Sequence, residues 1–456
     1  MKTFLTKKFY TVIIPEVHEH KVKQIAESVK RYAENASPGQ YFSLKKISVS
    51  HTVPKADDPR KKDKKIDIKS LTDIIEIDTE KRICIAEAGI PFSELVKETL
   101  DHGFIPGTVP ELKTITIGGA VSGCSIESMS YKYGGFHDSC LEYEIVTGTG
   151  EIIRCSRQTE PEIFEMVHGA FGTLGILTLI KFKLIPAKPY VRMEYETFPS
   201  FDRFLEAVEK HYLRRDLDFM DAIIHSPEKC VLCKGTFVEK VPYFNIYTRK
   251  IFYKSTLERD EDYLPTYHYL FRYDTECHWL TRNYGLENPL LRGLAGSFLL
   301  GSSNILRIGE KFPFLTKLSG KPDVVADVFV PYSNIRAFWK WYIEFFNYFP
   351  LWVVPYHIYK IYPWINPEFM EGIEDNLFID CAIYGFRQKG ELNYYRALED
   401  KVFELRGVKT LITYNYYPED IFWTWYNRSL YDEVKARTDP RNLFRNIYQK
   451  MNYTVR

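Results

Sequence analysis

Apolar positions after Val17 recur as Val22, Ile25, Val29 and Tyr32, the spacing of one helix face, and the pattern runs to Ala36 before SPGQ (Ser37 to Gln40) stops it. The period then shortens. KKISVSHTV (Lys45 to Val53), KKIDI (Lys64 to Ile68), IIEID (Ile74 to Asp78) and RICIAEAG (Arg82 to Gly89) predict strands. A helix is expected over Phe92 to His102, followed by a loop, IPGTVPELKTITIGGAVSG, that enters a second helix or turn. LEYEIVTGTGEIIRCS (Leu141 to Ser156) reads as a hairpin turned at Gly148 to Gly150. Pro161 to Ala187 reads as a short helix, a glycine turn and a closing strand.

Beyond Pro189 the texture changes. MEYETF, DAIIHS, KCVLCKGTFV, VVADVFVPY, WVVPYHIYK and LFIDCAIYG predict strands, interspersed with helices at Phe201 to Arg214, Ser333 to Asn347 and Tyr394 to Leu405. An antiparallel sheet with helices on one face is an α+β unit. From Thr410 the chain offers a strand-like TLITYNYY, a tryptophan-rich helix and the mixed-charge segment YDEVKARTDPRNLF. No repeat or low-complexity tract interrupts this order.

Composition narrows the classes. A chain of 456 residues accommodates two or three domains, and 61 Lys plus Arg against 60 Asp plus Glu leave no net charge suited to a phosphate backbone. Nucleic acid is therefore not the expected partner. Eight cysteines, scattered singly apart from Cys230 and Cys233, suit a reducing compartment, so a cytoplasmic location is expected. MKTFLTKKFYTVIIPEVHEH has only a short apolar stretch and no small-residue cleavage site, so it is not expected to act as a secretory signal. LLRGLAGSFLLG from Leu290 and FPLWVVPYHIYKIYPWI from Phe349 are broken by Arg292, or by His357 and Lys360, with Gly or Pro, and neither reads as a spanning helix. Peripheral membrane contact is compatible with LLRGLAGSFLLG.

No GxxxxGK[ST], HExxH, GxSxG or zinc-type paired CxxC is present, and no GxGxxG lies between a strand and a helix. No metal site is expected. Cys230 and Cys233 fall on opposite faces of one strand, which disfavours a redox pair. The aromatic set Phe338, Trp341, Tyr342, Phe345 and Phe346 is at helical spacing, a pattern commoner in a core than in a pocket. The seven basic residues from Lys55 to Lys69 are interleaved with four aspartates, which reads as a solvated loop, Lys55 itself excepted. The most informative stretch runs from Pro106 through Gly107 to Ser139. Gly118 and Gly119 lack Cβ atoms, so a polyanionic ligand could approach their backbone N–H groups, and Thr114 and Thr116 add hydroxyls at the same edge. A glycine-rich surface loop is the plainer alternative for this segment alone.

The order TxTxGGA, SxKYG, the EYEIVTGTGEII hairpin and GAFGTLGIL leading into LIPA resembles the FAD-binding domain of the vanillyl-alcohol oxidase, or PCMH, type. The segment PELKTITIGGAVSGCSIESMSYKYGG is similar in particular to the delta-24 sterol reductase branch, the diminuto or seladin proteins. YHYLFRYDTECHW, LFIDCAIYG and FPLWVVP extend the likeness, which runs from about Val17 to about Tyr448. Ser125 replaces the glycine that leads the branch's IES element, and the branch's hydrophobic N-terminal anchor has no counterpart, which implies a soluble version.

The resemblance implies a PCMH-type flavin domain over residues 1–189, a cap over 190–409 and a C-terminal segment, 410–456, that returns to the flavin domain. It implies FAD contacts from an early loop of Ser50, His51, Thr52, Val53, Pro54 and Lys55 and from Gly107. Further contacts are implied from Thr116, Ile117, Gly118 and Gly119, from Gly123, Cys124, Ser125 and Ile126, and from Gly175 and Ile176 near the adenine. Because the early loop is not glycine-rich, the FAD is expected to be non-covalent. Glu127 is expected to orient the flavin or to pair with Lys132, and Tyr416, on a returning strand, to contact the ring. Tyr267, His268 and Arg272 are the candidate catalytic residues. The implied activity is NADPH-dependent reduction of a carbon–carbon double bond in a sterol or isoprenoid-like lipid. An FAD-dependent oxidase or dehydrogenase of an alcohol or sugar is the alternative, and a non-catalytic lipid-binding scaffold the second.

Overall fold

A computed structural model describes residues 15–48, 58–247, 250–275 and 322–452. The early loop His51 to Lys55 and the apolar segment from Leu290 lie outside the described residues.

Two sheets form the framework. The first orders its strands as Ile74–Asp78, Ile83–Glu87, Ile176–Pro186, Cys140–Val146 and Ile152–Ser156, with Phe104–Pro106 pairing to the far end of Ile176–Pro186. The expected closing strand is thus central, bonded to Ile83–Glu87 on one side and to the hairpin on the other. The second sheet is antiparallel among its described pairs and has eight strands among the described residues. Its order is Glu261–Pro265, Tyr190–Phe198, Lys229–Val238, Phe219–Ser226, Leu351–His357, Leu377–Phe386, Val324–Pro331 and Val408–Lys409.

Alternation gives the second sheet two buried faces. Met220, Ala222, Leu232, Val353, Ile379 and Cys381 pack beneath the helices Phe201–Arg214, Ile335–Phe345 and Tyr394–Glu404. Phe219, Val231, Trp352, Val354, Tyr356, Phe378 and Tyr384 face the other way, into a core shared with the first sheet. Cys230 and Cys233 fall on opposite faces as their spacing dictates, and Phe338, Tyr342 and Phe346 are core residues.

Two expected strands are corrected. The pairing near Lys45 covers Phe42–Lys45, which runs parallel to Lys64–Asp67, and Lys46 to Ser48 do not extend it, while Val49 to Val53 lie outside the described residues. TLITYNYY does not continue a sheet beyond Val408–Lys409, because its polar groups bond locally: Tyr416 N–H donates to the buried Glu399, and Asn415 takes the Lys409 ammonium at 2.6 Å.

The helix Pro15–Asn35 lies on the first sheet through Val22, Ile25, Val29 and His18. His18 sits between Glu87 and Glu144, at 2.9 and 3.0 Å. Burial alone would depress the imidazolium, but hydrogen bonds to Glu144 and Glu87 outweigh it and raise the pKa to about 9. With the folded value above the unfolded one, the stabilisation is complete below about pH 6.5 and lost as pH rises through about 9. We expect His18→Gln to remove stability on the order of 2–3 kcal/mol at pH 6 and much less at pH 10, read from urea midpoints at the two pH values.

The C-terminal segment packs against the first sheet. Lys435 donates to the Thr173 carbonyl, to Asp439 and to the Phe444 carbonyl, and Gly148 N–H donates to the Thr438 carbonyl. Gly148 is required there, since a Cβ would sit 2.2 Å from an Asp439 carboxylate oxygen.

Candidate active site

The segment Thr116–Ser128 lies between the two sheets. Thr116 caps the short helix Ile117–Ser122 by accepting from Gly119 N–H, while Gly118 N–H donates to the Ala88 carbonyl at 2.8 Å. A Cβ on Gly118 would stand 2.8 Å from that carbonyl oxygen and 2.9 Å from the Ala88 Cβ. The expectation that Gly118 opens its backbone to a ligand is therefore corrected: the bare Cα lets the helix seat on the Ile83–Glu87 strand. Gly119, exposed and met only by the Thr116 hydroxyl, is the open position of the pair. Ile117 is fully buried beneath it.

Next along the chain, Gly123 and Cys124 turn outward, Cys124 with φ of +52°. They form one wall of a cavity with Gly169 and Phe171 from the GAFG turn. Phe329, Tyr356 and Phe378 of the second sheet make the opposite wall, and Tyr362, Trp364, Trp425 and Tyr426 complete it. The cavity holds about 740 Å³ of empty space including its mouth. Its walls are overwhelmingly apolar. Tyr356 and Tyr362 share a hydrogen bond of 2.7 Å, and Tyr362 donates onward to Asp138, also at 2.7 Å.

Ser125 and Ile126 are half-buried behind this wall, with Ser125 N–H held by the Ala120 carbonyl. Gly107 is buried against Tyr133. Gly175 has φ of +147°, and a Cβ there would fall 2.6 Å from Ile145, so its bareness serves strand packing. The Ile176 side chain is buried beneath the N-terminal helix, leaving only its main chain for a ligand.

The candidate catalytic residues are not at this cavity. Tyr267 and His268 sit half-buried on the helix Thr266–Leu270, which packs near Phe92–Asp101. Burial, then the charge of Lys113, lowers the His268 pKa. Arg272 is 1% exposed. It pairs with Glu127 at 3.0 Å and with Asp221 at 2.9 Å, and its guanidinium lies 4.2 Å over the Tyr269 ring and 4.5 Å over Tyr273. Tyr273 and the Trp352 indole N–H also donate to Asp221. The partner expected for Glu127, Lys132, instead reaches the Leu217 carbonyl. Tyr416 is corrected as well. It packs against Tyr395 on the helix-covered face of the second sheet, the face away from the cavity.

Sequence reading missed Lys450. Its ammonium donates to the Phe171 carbonyl at 2.6 Å, next to Gly172. Burial lowers its pKa to about 7, and the charges of Arg60, Lys46 and Lys435 act in the same direction. A concentration of cations that depresses its own member is relieved by a bound anion. Arg60 and Lys46 flank the early loop in sequence and the GAFG turn carries a cavity wall, so an anionic group joined to a flat ring fits this donor set. Among the described residues no group of His, Cys, Asp and Glu could hold a metal ion.

Comparison with known families bears directly on that fit. Residues 48–156 match the FAD binding domain family. The chain carries an FAD-binding domain. Over 96% of its length it is 26% identical to the Delta(24)-sterol reductases of Macaca fascicularis and Homo sapiens, covering 87% of each. The Arabidopsis thaliana Delta(24)-sterol reductase is 23% identical over 95% of this chain and 84% of its own. The likeness to the delta-24 sterol reductase branch thus takes in the second sheet as well as the first. Cytokinin dehydrogenase 5 of Arabidopsis thaliana is 34% identical, but over only 25% of this chain and 22% of its own.

Proposed function

We propose that this protein is an FAD-dependent oxidoreductase that reduces a carbon–carbon double bond in a sterol or other isoprenoid-like lipid, with NADPH as electron donor. The observation that carries the reading is the cavity, apolar and aromatic on the second-sheet side and built on the other from Gly123, Cys124, Gly169 and Phe171. A flat, mostly hydrocarbon substrate suits such walls. A sugar or short alcohol would ask for more polar surface than these walls present. Similarity to a dehydrogenase stops at a quarter of the chain, whereas similarity to the sterol reductases continues through the second sheet.

In this reading residues 1–189 with 410–456 hold the cofactor and 190–409 form the cap. Bound FAD would supply the hydride. Gly119, Gly123, Cys124 and Phe171 would accommodate it, with Lys450, Lys46 and Arg60 opposite its pyrophosphate. Arg272 serves as a positioning residue, tying Glu127, beside the cofactor segment, to Asp221 and Trp352 of the cap. Among the described residues no helix is long and apolar enough to cross a membrane. Delivery of a lipid substrate would require contact with a membrane surface.

Incubation with NADPH and a sterol bearing a side-chain alkene should yield the sterol with that bond saturated. A return of unchanged sterol from flavin-loaded protein would count against the reading. Lys450→Ala should lower FAD affinity by about tenfold, the order expected for one lost charge-assisted contact, as followed by flavin fluorescence during titration. Unchanged affinity would remove Lys450 from the phosphate site.

A further inference from the structure

The second sheet places three aspartates in the middle of apolar strands, all on the face turned to the cavity: Asp221, Asp327 and Asp380. Asp221 is neutralised by Arg272. Asp327 accepts from the Tyr384 hydroxyl. Asp380 differs from both in having no cation and no hydroxyl beside it among the described residues. It is 1% exposed, and its Oδ1 is buried without a hydrogen-bond partner among the described residues. In the sheet register it stands directly opposite Phe329, and it shares its strand face with Phe378 two residues earlier. Phe329 and Phe378 both line the cavity.

Reduction of an isolated alkene needs an acid. Without an adjacent carbonyl the bond is a poor hydride acceptor until a proton gives one carbon cationic character. The cavity's own phenols, Tyr356 and Tyr362, are held above their ordinary pKa by burial and are weak acids. A neutral carboxyl group is a far stronger donor. Burial first, then the charges of Asp327 and Glu111, hold Asp380 well above the usual carboxylate range, which favours its protonated form. Glu111 approaches from the loop before the Thr116 helix and Asp327 from the neighbouring strand.

We propose that Asp380 is the proton donor to the alkene, acting from the sheet face on which its neighbours Phe329 and Phe378 line the cavity. The proposal rests on the reductase reading above. Saturation breaks the alkene π bond and forms two C–H bonds. One carbon takes the hydride that reduced flavin supplies, which oxidises the flavin, and the other takes the Asp380 proton. The carboxylate left behind regains a proton from solvent before the next turnover.

Two measurements test this. In the flavin-loaded protein, Asp380→Asn should leave the rate of flavin bleaching by NADPH within about twofold, while alkene-dependent recovery slows by about 10²–10⁴-fold, the size of a general-acid contribution. Equal recovery rates in variant and wild type would overturn the proposal. Independently of turnover, infrared difference spectra of the resting protein should show a protonated-carboxyl carbonyl band that disappears in Asp380→Asn. A band that persists unchanged assigns the proton elsewhere and overturns it too. If wild-type flavin bleaches but no alkene restores it, the reductase reading fails and the proposal with it. A lost infrared band would then still locate a protonated Asp380, which separates the two failures.

Discussion

Arg272→Met should destabilise the protein by about 3–5 kcal/mol, the cost typical of removing one partner from a buried ion pair. Glu127 and Asp221 would face each other across the vacated site, both fully buried. Burial, offset by Arg272, already raises the Glu127 pKa to about 7, with the charge of Asp221 adding to the rise. Removing Arg272 raises it further, so Glu127 takes up a proton and the loss is smaller at low pH than at high. Urea unfolding at pH 5.5 and pH 8 checks both the size and the direction. A loss under about 1 kcal/mol at pH 8 would show that the guanidinium does not hold the two layers together.

Gly118→Val should be nearly as damaging and should act on the cofactor too. A Cβ meets Ala88 main chain and side chain inside 3 Å, and main chain cannot rotate away as a long side chain does. Overpacking of this kind costs about 1–3 kcal/mol, and a branched residue belongs at the upper end. Because Gly118 seats the helix that leads to Gly123 and Cys124, the purified variant should also retain less flavin, read from the ratio of visible to ultraviolet absorbance. Gly119→Ala, at the open position, should keep its stability. Equal stability losses at the two glycines would contradict the account of which one faces the strand.

The fold was legible where local chemistry decides it. The face of Val22, Ile25 and Val29 predicted the first helix, and alternation across DAIIHS, VVADVFVPY and LFIDCAIYG predicted the strands of a sheet with helices on one face. TLITYNYY misled because its alternation suits a strand while its polar groups are satisfied by Glu399 and Lys409, which no local pattern announces. Glu127, expected to orient the flavin or to pair with Lys132 five residues away, has its ion-pair partner 145 residues on. Such pairings depend on tertiary packing. Gly118 was correctly singled out but for the wrong neighbour, since a glycine needed against a strand and one needed against a ligand look alike in sequence. Asp380 did leave a signal: a lone aspartate inside an otherwise apolar strand, repeated in Asp221 and Asp327, is costly unless paired or protonated. Lys450 left none, because its like-charged neighbours converge from both ends of the chain.

The central claim is that a flavin held between the two layers moves electrons from NADPH to a lipid alkene. Its most direct test is an anaerobic absorbance spectrum of the purified, FAD-loaded protein, recorded before and after NADPH and again after a sterol with a side-chain alkene. The account predicts that NADPH bleaches the flavin band and that the sterol restores it. A flavin that ignores NADPH but bleaches with an alcohol would contradict it and favour a dehydrogenase.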